Sequence, residues 1–237
     1  MAPTPARMQS LSVERMESAS QPPSYSSNKK SKSCKAHVVP CDITSLEDIA
    51  ELTRQTEAQF GSGEHIDLLF INAGYAHLDA FTEVTEATFR RTFNTNVFGA
   101  FFVAQKLAPL VRQGGAIVFT TSVSNKTGIA GMSIYSASKA AVHSLVQTLA
   151  AELVDRKIRV NAVSPGFIKT PTMGVAGTPP DALTAFEEEG VQTTPLGRIG
   201  NPEEVAKAVA FLAFDATFTT GTEVVVDGGL ASLKPSH

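Results

Sequence analysis

Tyr135 and Lys139 stand four residues apart in the segment Tyr135-Ser136-Ala137-Ser138-Lys139. On a helix, residues i and i+4 share a face, so a phenol and an ammonium would lie side by side. A phenol ordinarily titrates near ~10 and a lysine near ~10.4. A neighbouring cation favours the phenolate, and a fall of about 3 units is worth roughly 4 kcal/mol. The expectation is a Tyr135 phenol depressed by Lys139, able to exchange a proton with a substrate oxygen near neutral pH. The same short pattern also fits a surface Tyr and Lys on an ordinary helix, so the neighbouring residues decide between the two.

Ser122 closes the run Ala116 to Thr121, 13 residues before Tyr135. A serine at the C-terminal end of a strand, beside the start of the next helix, can donate a hydrogen bond to the same substrate oxygen. Asn72-Ala73-Gly74 follow the apolar run Asp67 to Ile71 directly. Glycine there admits close backbone approach to a ligand, and the Asn can hold a ribose or tie strand ends together. Asn96 lies inside an otherwise apolar helical pattern, where a buried amide needs a bound water or a kinked helix to satisfy it. Asn161 to Thr170 leaves its strand through Pro165-Gly166, and Ile168 and Thr170 could then flank a flat ring. A serine-hydrolase elbow is disfavoured, because Gly131-Met132-Ser133-Ile134-Tyr135 lacks the closing glycine.

The elements that must position these residues alternate. Strands are expected at Ala36 to Val39, Asp67 to Ile71, Gly115 to Thr121, Ile158 to Val163 and Glu223 to Val226. Helices are expected over Ser45 to Gln59, Glu86 to Val111, Tyr135 to Leu153 and Asn201 to about Phe214. Ser45 and Asn201 are N-cap residues, and Pro202 with Glu203 and Glu204 makes a well-formed helix start. Apolar strands alternating with helices mean an α/β fold, a parallel sheet with helices on both faces. Ligands of such sheets bind at the C-terminal strand ends, where the residues above fall.

Composition narrows the function. The chain has 237 residues, 43% hydrophobic and 18% charged, with a formal net charge of -3. That suits one globular domain with a tail and argues against nucleic acid as a partner. Two cysteines, Cys34 and Cys41, are too few for a disulfide framework, and no Cys/His cluster suggests a metal. The longest apolar stretch is too short to span a membrane, and no signal-peptide core is legible, so a cytoplasmic protein is expected. Residues 1–35 read as a disordered Ser/Pro-rich tail that cannot bury enough apolar surface to order itself. Its Lys29, Lys30, Lys32 and Lys35 could be a nuclear signal, though a solvated linker explains them as well.

These segments together resemble the short-chain dehydrogenase/reductase family, over residues of about 36 to 231. The matched set is CDIT, INAG, the NxNVxG helix, Ser122, YSASK, NAVSPGFIKT, LGRIGNPEEVA and Val226-Asp227-Gly228-Gly229, in family order and spacing. The resemblance implies a Rossmann-like doubly wound parallel sheet and hydride transfer between a nicotinamide and a small carbonyl or alcohol substrate. It implies Tyr135 as general acid or base and Lys139 as the group that lowers its pKa and binds the nicotinamide ribose. Ser122 would orient the carbonyl, and Asn96 would hold a water in a proton relay. Asp42 would contact the adenine; Asn72, Ala73 and Gly74 would lie along the cofactor; Ile168 and Thr170 would contact the nicotinamide. The cofactor is NADP or NAD, with NADP put slightly ahead. Thr172 to about Gln192 would be a mobile substrate lid, and a homodimer or homotetramer is implied.

One departure matters. Family members open with a strand and a T-G-x-x-x-G-x-G turn that cradles the pyrophosphate. Glycine first occurs here at Gly61, so the domain reads as entering the fold after the first βαβ unit. Losing two or three charge-assisted hydrogen bonds would weaken cofactor binding by about 4–6 kcal/mol. The Asp67 to Ile71 strand would be left with an exposed apolar edge. An alternative is therefore a catalytically impaired relative serving as a partner-binding or oligomerising subunit.

Overall fold

The computed structural model describes residues 10–13, 36–60, 65–175, 177 and 179–233. Cys34 and the Lys29–Lys35 cluster lie outside the described residues. The first described strands are β1 (Ser10–Val13) and β2 (His37–Pro40), paired antiparallel with Ser10 opposite Pro40. Four residues of the segment expected to be a tail thus form a strand. The β2 strand was expected in the parallel sheet, but its hydrogen-bonded partner is β1.

Helix α1 (Leu46–Phe60) follows. Ser45 caps it, its hydroxyl accepting from the Asp48 amide at 3.2 Å, and Glu47 and Asp48 sit at the positive end of the dipole. Ile49, Leu52 and Thr56 recur on one face and are fully or almost fully buried.

The central sheet has four parallel strands in the order β3 (Ile66–Ile71), β4 (Val111–Thr120), β5 (Arg159–Pro165) and β6 (Glu223–Val226). Alternate side chains feed two cores, as the two-residue period of a strand requires. Ile117 and Phe119 belong to one core with α1, α3 (Ala100–Leu107) and α4 (Ser133–Glu152); α2 (Glu86–Phe93) leads into α3, and α4 follows β4. Val118 and Val163 belong to the other, beneath α6 (Pro202–Ala210). The long helix α5 (Pro180–Thr193) precedes α6. Helices on both faces of a parallel sheet make the doubly wound arrangement that the apolar strands imply. The β3 strand is not buried on both faces as a central strand would be. It is an edge strand among the described residues, and its Leu68 and Phe70 are only half-buried.

The expected helix from Glu86 to Val111 is broken. Between α2 and α3 the residues Asn94–Gly99 form a π-helical turn, and Val111 already belongs to β4. Such a turn widens the helix by one residue per turn and leaves backbone groups free for other partners. Gly99 shows why the widening sits here: a Cβ on it would lie 2.8 Å from the Ile43 carbonyl oxygen. The chain entering α1 therefore presses directly on the helix backbone, which only glycine permits. A second π turn, Phe211–Asp215, ends α6. The Arg159 guanidinium collects its carbonyls, donating to Leu212 at 2.5 Å, Ala213 at 2.6 Å and Ala216 at 3.0 Å. The segments that follow β3, β4, β5 and β6 all emerge at one end of the sheet. That end carries Asn72 to Gly74, Ser122, Gly166 to Thr170 and Asp227.

Candidate active site

The site is built on the first two turns of α4. Tyr135 and Lys139 do share a face, and the ammonium lies 5.7 Å from the centre of the Tyr135 ring. Lys139 is 3% exposed and its Nζ donates to the Thr120 carbonyl at the end of β4, at 2.8 Å. The Thr120 hydroxyl donates in turn to the Asn72 Oδ1 at 2.7 Å, tying the ends of β3 and β4 together. Gly74 comes close as well: a Cβ there would sit 3.3 Å from the Lys139 Nζ. Ser122, two residues past the end of β4, lies close enough to the Tyr135 phenol to draw its pKa down. Its hydroxyl also accepts from the Ser124 amide at 3.3 Å, which starts the short turn Val123–Asn125.

Asn96 lies in the π turn and is 1% exposed. Its Oδ1 accepts from the Tyr75 amide at 2.7 Å, and its Nδ2 donates to the Tyr75 carbonyl at 2.9 Å and to the Ser138 hydroxyl at 2.9 Å. Ser138 donates onward to the Tyr135 carbonyl at 2.7 Å. Asn96 is thus a clamp between the loop after β3 and the start of α4. The kinked helix that a buried amide needs is present, and Ser138 is a member of the network that spacing alone did not single out. Replacing Asn96 by alanine is expected to leave both Tyr75 backbone groups unpaired, at a cost of about 2–4 kcal/mol. Chemical denaturation measures it; a change below about 0.5 kcal/mol would mean that the amide does not clamp that loop.

The other expected site residues are spread more widely. Asp42 is exposed, and its Oδ1 accepts from the Thr44 amide at 2.9 Å and hydroxyl at 2.8 Å, closing its own turn at the end of β2. Ala73 is half-buried and packs against the main core. Ile168 and Thr170 leave β5 half-buried, and Ile168 forms an isolated parallel bridge with Gly200. The segment after Thr170 turns through Met173 at φ 48°, a left-handed conformation uncommon for that residue, and Val175 bridges Ala76. The stretch expected as a lid therefore crosses to the loop beyond Gly74 before rising into α5. The Lys169–Glu187 ion pair at 2.6 Å and the Phe167–Phe186 ring contact tie α5 back to the end of β5.

The electrostatics reverse one expectation. Burial pushes the Tyr135 phenol above its ordinary value of 10.0, and the Ser122 hydrogen bond draws it only partly back. The Lys139 Nζ is directed to the Thr120 carbonyl, and burial is the dominant influence on the phenol. Burial lowers Lys139 itself to about 8. The pair is thus a protonated phenol beside an ammonium that titrates close to neutral pH. Among the described residues no group of three or more His, Cys, Asp or Glu side chains is set to hold a metal ion. No described helix is long and apolar enough to cross a membrane.

Known proteins share this architecture. The family model described as enoyl-(acyl carrier protein) reductase matches residues 19–231, beginning ahead of Ala36. The L-fucose dehydrogenase of Bos taurus is 38% identical over 192 residues, covering 80% of this chain and 70% of that protein. The 3-oxoacyl-acyl-carrier-protein reductase of Thermotoga maritima is 37% identical over 192 residues, covering 80% and 74%. A short-chain type dehydrogenase/reductase from Mycobacterium marinum superposes with a TM-score of 0.74 at 33% identity, covering 83% of this chain and 76% of that one. The chain accordingly belongs to the short-chain dehydrogenase/reductase family of oxidoreductases.

Proposed function

We propose that the chain is an NAD(P)-dependent oxidoreductase acting on a small carbonyl or alcohol, with Tyr135 as its general acid and base. The observation that carries this is the shared face of Tyr135 and Lys139 on α4, with the buried Lys139 Nζ 5.7 Å from the centre of the phenol ring and Ser122 beside the phenol past the end of β4. A substrate carbonyl oxygen that accepts from both hydroxyls would be oriented and polarised at once. The upward shift of the phenol keeps it protonated at neutral pH, the form that donates to a carbonyl as it is reduced. In the reverse direction the same oxygen, once deprotonated, takes the alcohol proton. Lys139, lowered to about 8, is the adjacent group able to return or accept a proton near neutrality.

The residues present fit a nicotinamide dinucleotide. Lys139 is a cationic donor suited to ribose hydroxyls, and Gly74 leaves open the space beside its Nζ that a side chain would fill. Asn72, Ala73, Ile168 and Thr170 come from the same end of the sheet and would line the nicotinamide half, with Asp42 toward the adenine. When bound, the nicotinamide supplies or accepts the hydride. Everything else falls to the chain: Ser122 orients, Tyr135 moves the proton, and α5 with the turn before it shields the substrate from water.

The test is turnover. The purified chain is mixed with NADPH or NADH and a panel of small ketones, sugar aldehydes and 3-oxoacyl thioesters, and loss of reduced nicotinamide is followed. Carbonyl-dependent oxidation of either cofactor is expected. A folded sample that oxidises neither cofactor with any carbonyl, and reduces neither oxidised form with the matching alcohols, would overturn the assignment.

A further inference from the structure

A buried carboxylate stands behind the Ser122 turn, outside the groups described so far. Glu223 opens β6, and its side chain is 2% exposed. Its Oε1 accepts from the Thr121 hydroxyl and, at 2.9 Å, from the Asn125 Nδ2. Its Oε2 pairs with the Lys126 Nζ at 2.5 Å. Burial alone would push the Glu223 carboxyl up; the Lys126 ion pair and the hydrogen bonds from Thr121 and Asn125 outweigh it and hold the group below its ordinary range.

The placement of these donors is what counts. Thr121 immediately precedes Ser122, and Asn125 and Lys126 close the turn that Ser122 begins. One carboxylate therefore grips the turn on both sides of the serine. The Thr121 backbone amide donates to the Val163 carbonyl at 2.9 Å, which anchors the grip to β5. From the third side His143 brings its Nδ1 to 3.4 Å from the Glu223 Oε1, and His143 is one helical turn beyond Lys139 on α4. Sheet, turn and catalytic helix thus meet at this single ionised group. A surface pair would contribute little to such a junction, but a desolvated carboxylate with several donors holds geometry firmly.

Resting on the function proposed above, we infer that Glu223 is a positioning residue. It fixes the turn that presents the Ser122 hydroxyl to the Tyr135 phenol, and so acts on the reaction through Ser122 without touching substrate. The wild-type proton balance is untouched, since Glu223 stays ionised and transfers nothing.

The test is a double-mutant cycle on the full chain with whichever carbonyl it reduces. Glu223→Gln keeps the shape and one acceptor oxygen but removes the charge that pairs with Lys126. It is expected to lower kcat about 10- to 100-fold, as a displaced reacting group does, with KM and cofactor affinity held within about twofold. In a Ser122→Ala background the same change is expected to cost nothing further, because the group it positions is gone. Equal losses in both backgrounds would overturn the inference and leave Glu223 a purely structural residue. If Glu223→Gln fails to fold, Lys126→Met removes one arm of the grip, and its smaller loss must also vanish without Ser122. Should the wild type reduce no carbonyl, the functional assignment falls, and amide hydrogen exchange then reads the positioning. Faster exchange in Glu223→Gln confined to residues 123–127 supports the grip on the turn; unchanged exchange there overturns it.

Discussion

Replacing Tyr135 by phenylalanine is expected to lower kcat at least about 1000-fold, the scale of a lost general acid in a positioned site. The change removes one oxygen and keeps the ring. The ring still lies beneath the Lys139 ammonium, and the Lys139 contact with the Thr120 carbonyl does not involve the phenol. Affinity for the nicotinamide cofactor is therefore expected to stay within about twofold, since only an interaction made to the reacting oxygen is lost. Ser122 is left without its phenol partner, but its hydroxyl keeps the Ser124 amide, so the turn stays in place. Steady-state kinetics and a cofactor titration on the same sample separate the two effects. A variant that retains wild-type kcat would remove Tyr135 from the chemistry.

Replacing Lys139 by methionine is expected to do the opposite to stability and more to binding. Burial lowers the Lys139 ammonium from 10.5 to about 8. That difference corresponds to about 3 kcal/mol of destabilisation at pH 7, at roughly 1.4 kcal/mol per unit. Methionine fills a similar volume without a charge, though it gives up the hydrogen bond to the Thr120 carbonyl, worth about 1 kcal/mol. The variant is expected to be about 2 kcal/mol more stable at pH 7. The sign with pH follows from proton counting. Between the folded value near 8 and the unfolded value near 10.5, the unfolded chain binds more protons, so wild-type stability rises with pH across that window. The advantage of the variant is full below pH 8 and closes as pH approaches about 10.5. Thermal melts at several pH values measure this. Under the proposed function, turnover is expected to fall at least about 100-fold and cofactor affinity at least about tenfold, because the donor proposed for the ribose is lost with the charge. A gain in stability bought with lost function is the usual mark of a site held against its own folding preference. A variant of lower stability at pH 7 would mean that the buried ammonium is well compensated.

The sheet was legible because its central strands are short apolar runs with no polar interruption, and Ile117 to Phe119 are indeed wholly buried. Helix starts at Ser45 and Asn201 were legible because caps are local chemistry: both the Ser45 contact and the Asn201–Glu204 capping box form. The π turn at Asn94–Gly99 was hidden, since the hydrophobic pattern of a helix runs through it unbroken. It is imposed from outside by Ile43 on Gly99 and by Tyr75 on Asn96. The direction of the Tyr135 shift is hidden from the sequence for a similar reason. Spacing puts a cation beside a phenol, but burial, which exists only in the folded chain, pushes the phenol up. Glu223 was invisible because its partners Thr121 and Asn125 lie about a hundred residues away in sequence. An acidic residue opening a strand of valines reads as an ordinary surface position until the fold closes over it.

The site stands or falls on whether this chain holds a nicotinamide dinucleotide at the end of its sheet. Titrating the purified protein with NADPH and with NADH, while following nicotinamide fluorescence, tests that directly, with Lys139→Met run alongside. The expected result is saturable binding of one or both cofactors in the micromolar range, weakened in the variant. No binding at millimolar cofactor by a folded sample, or equal binding by wild type and variant, would contradict a cofactor site built around Lys139.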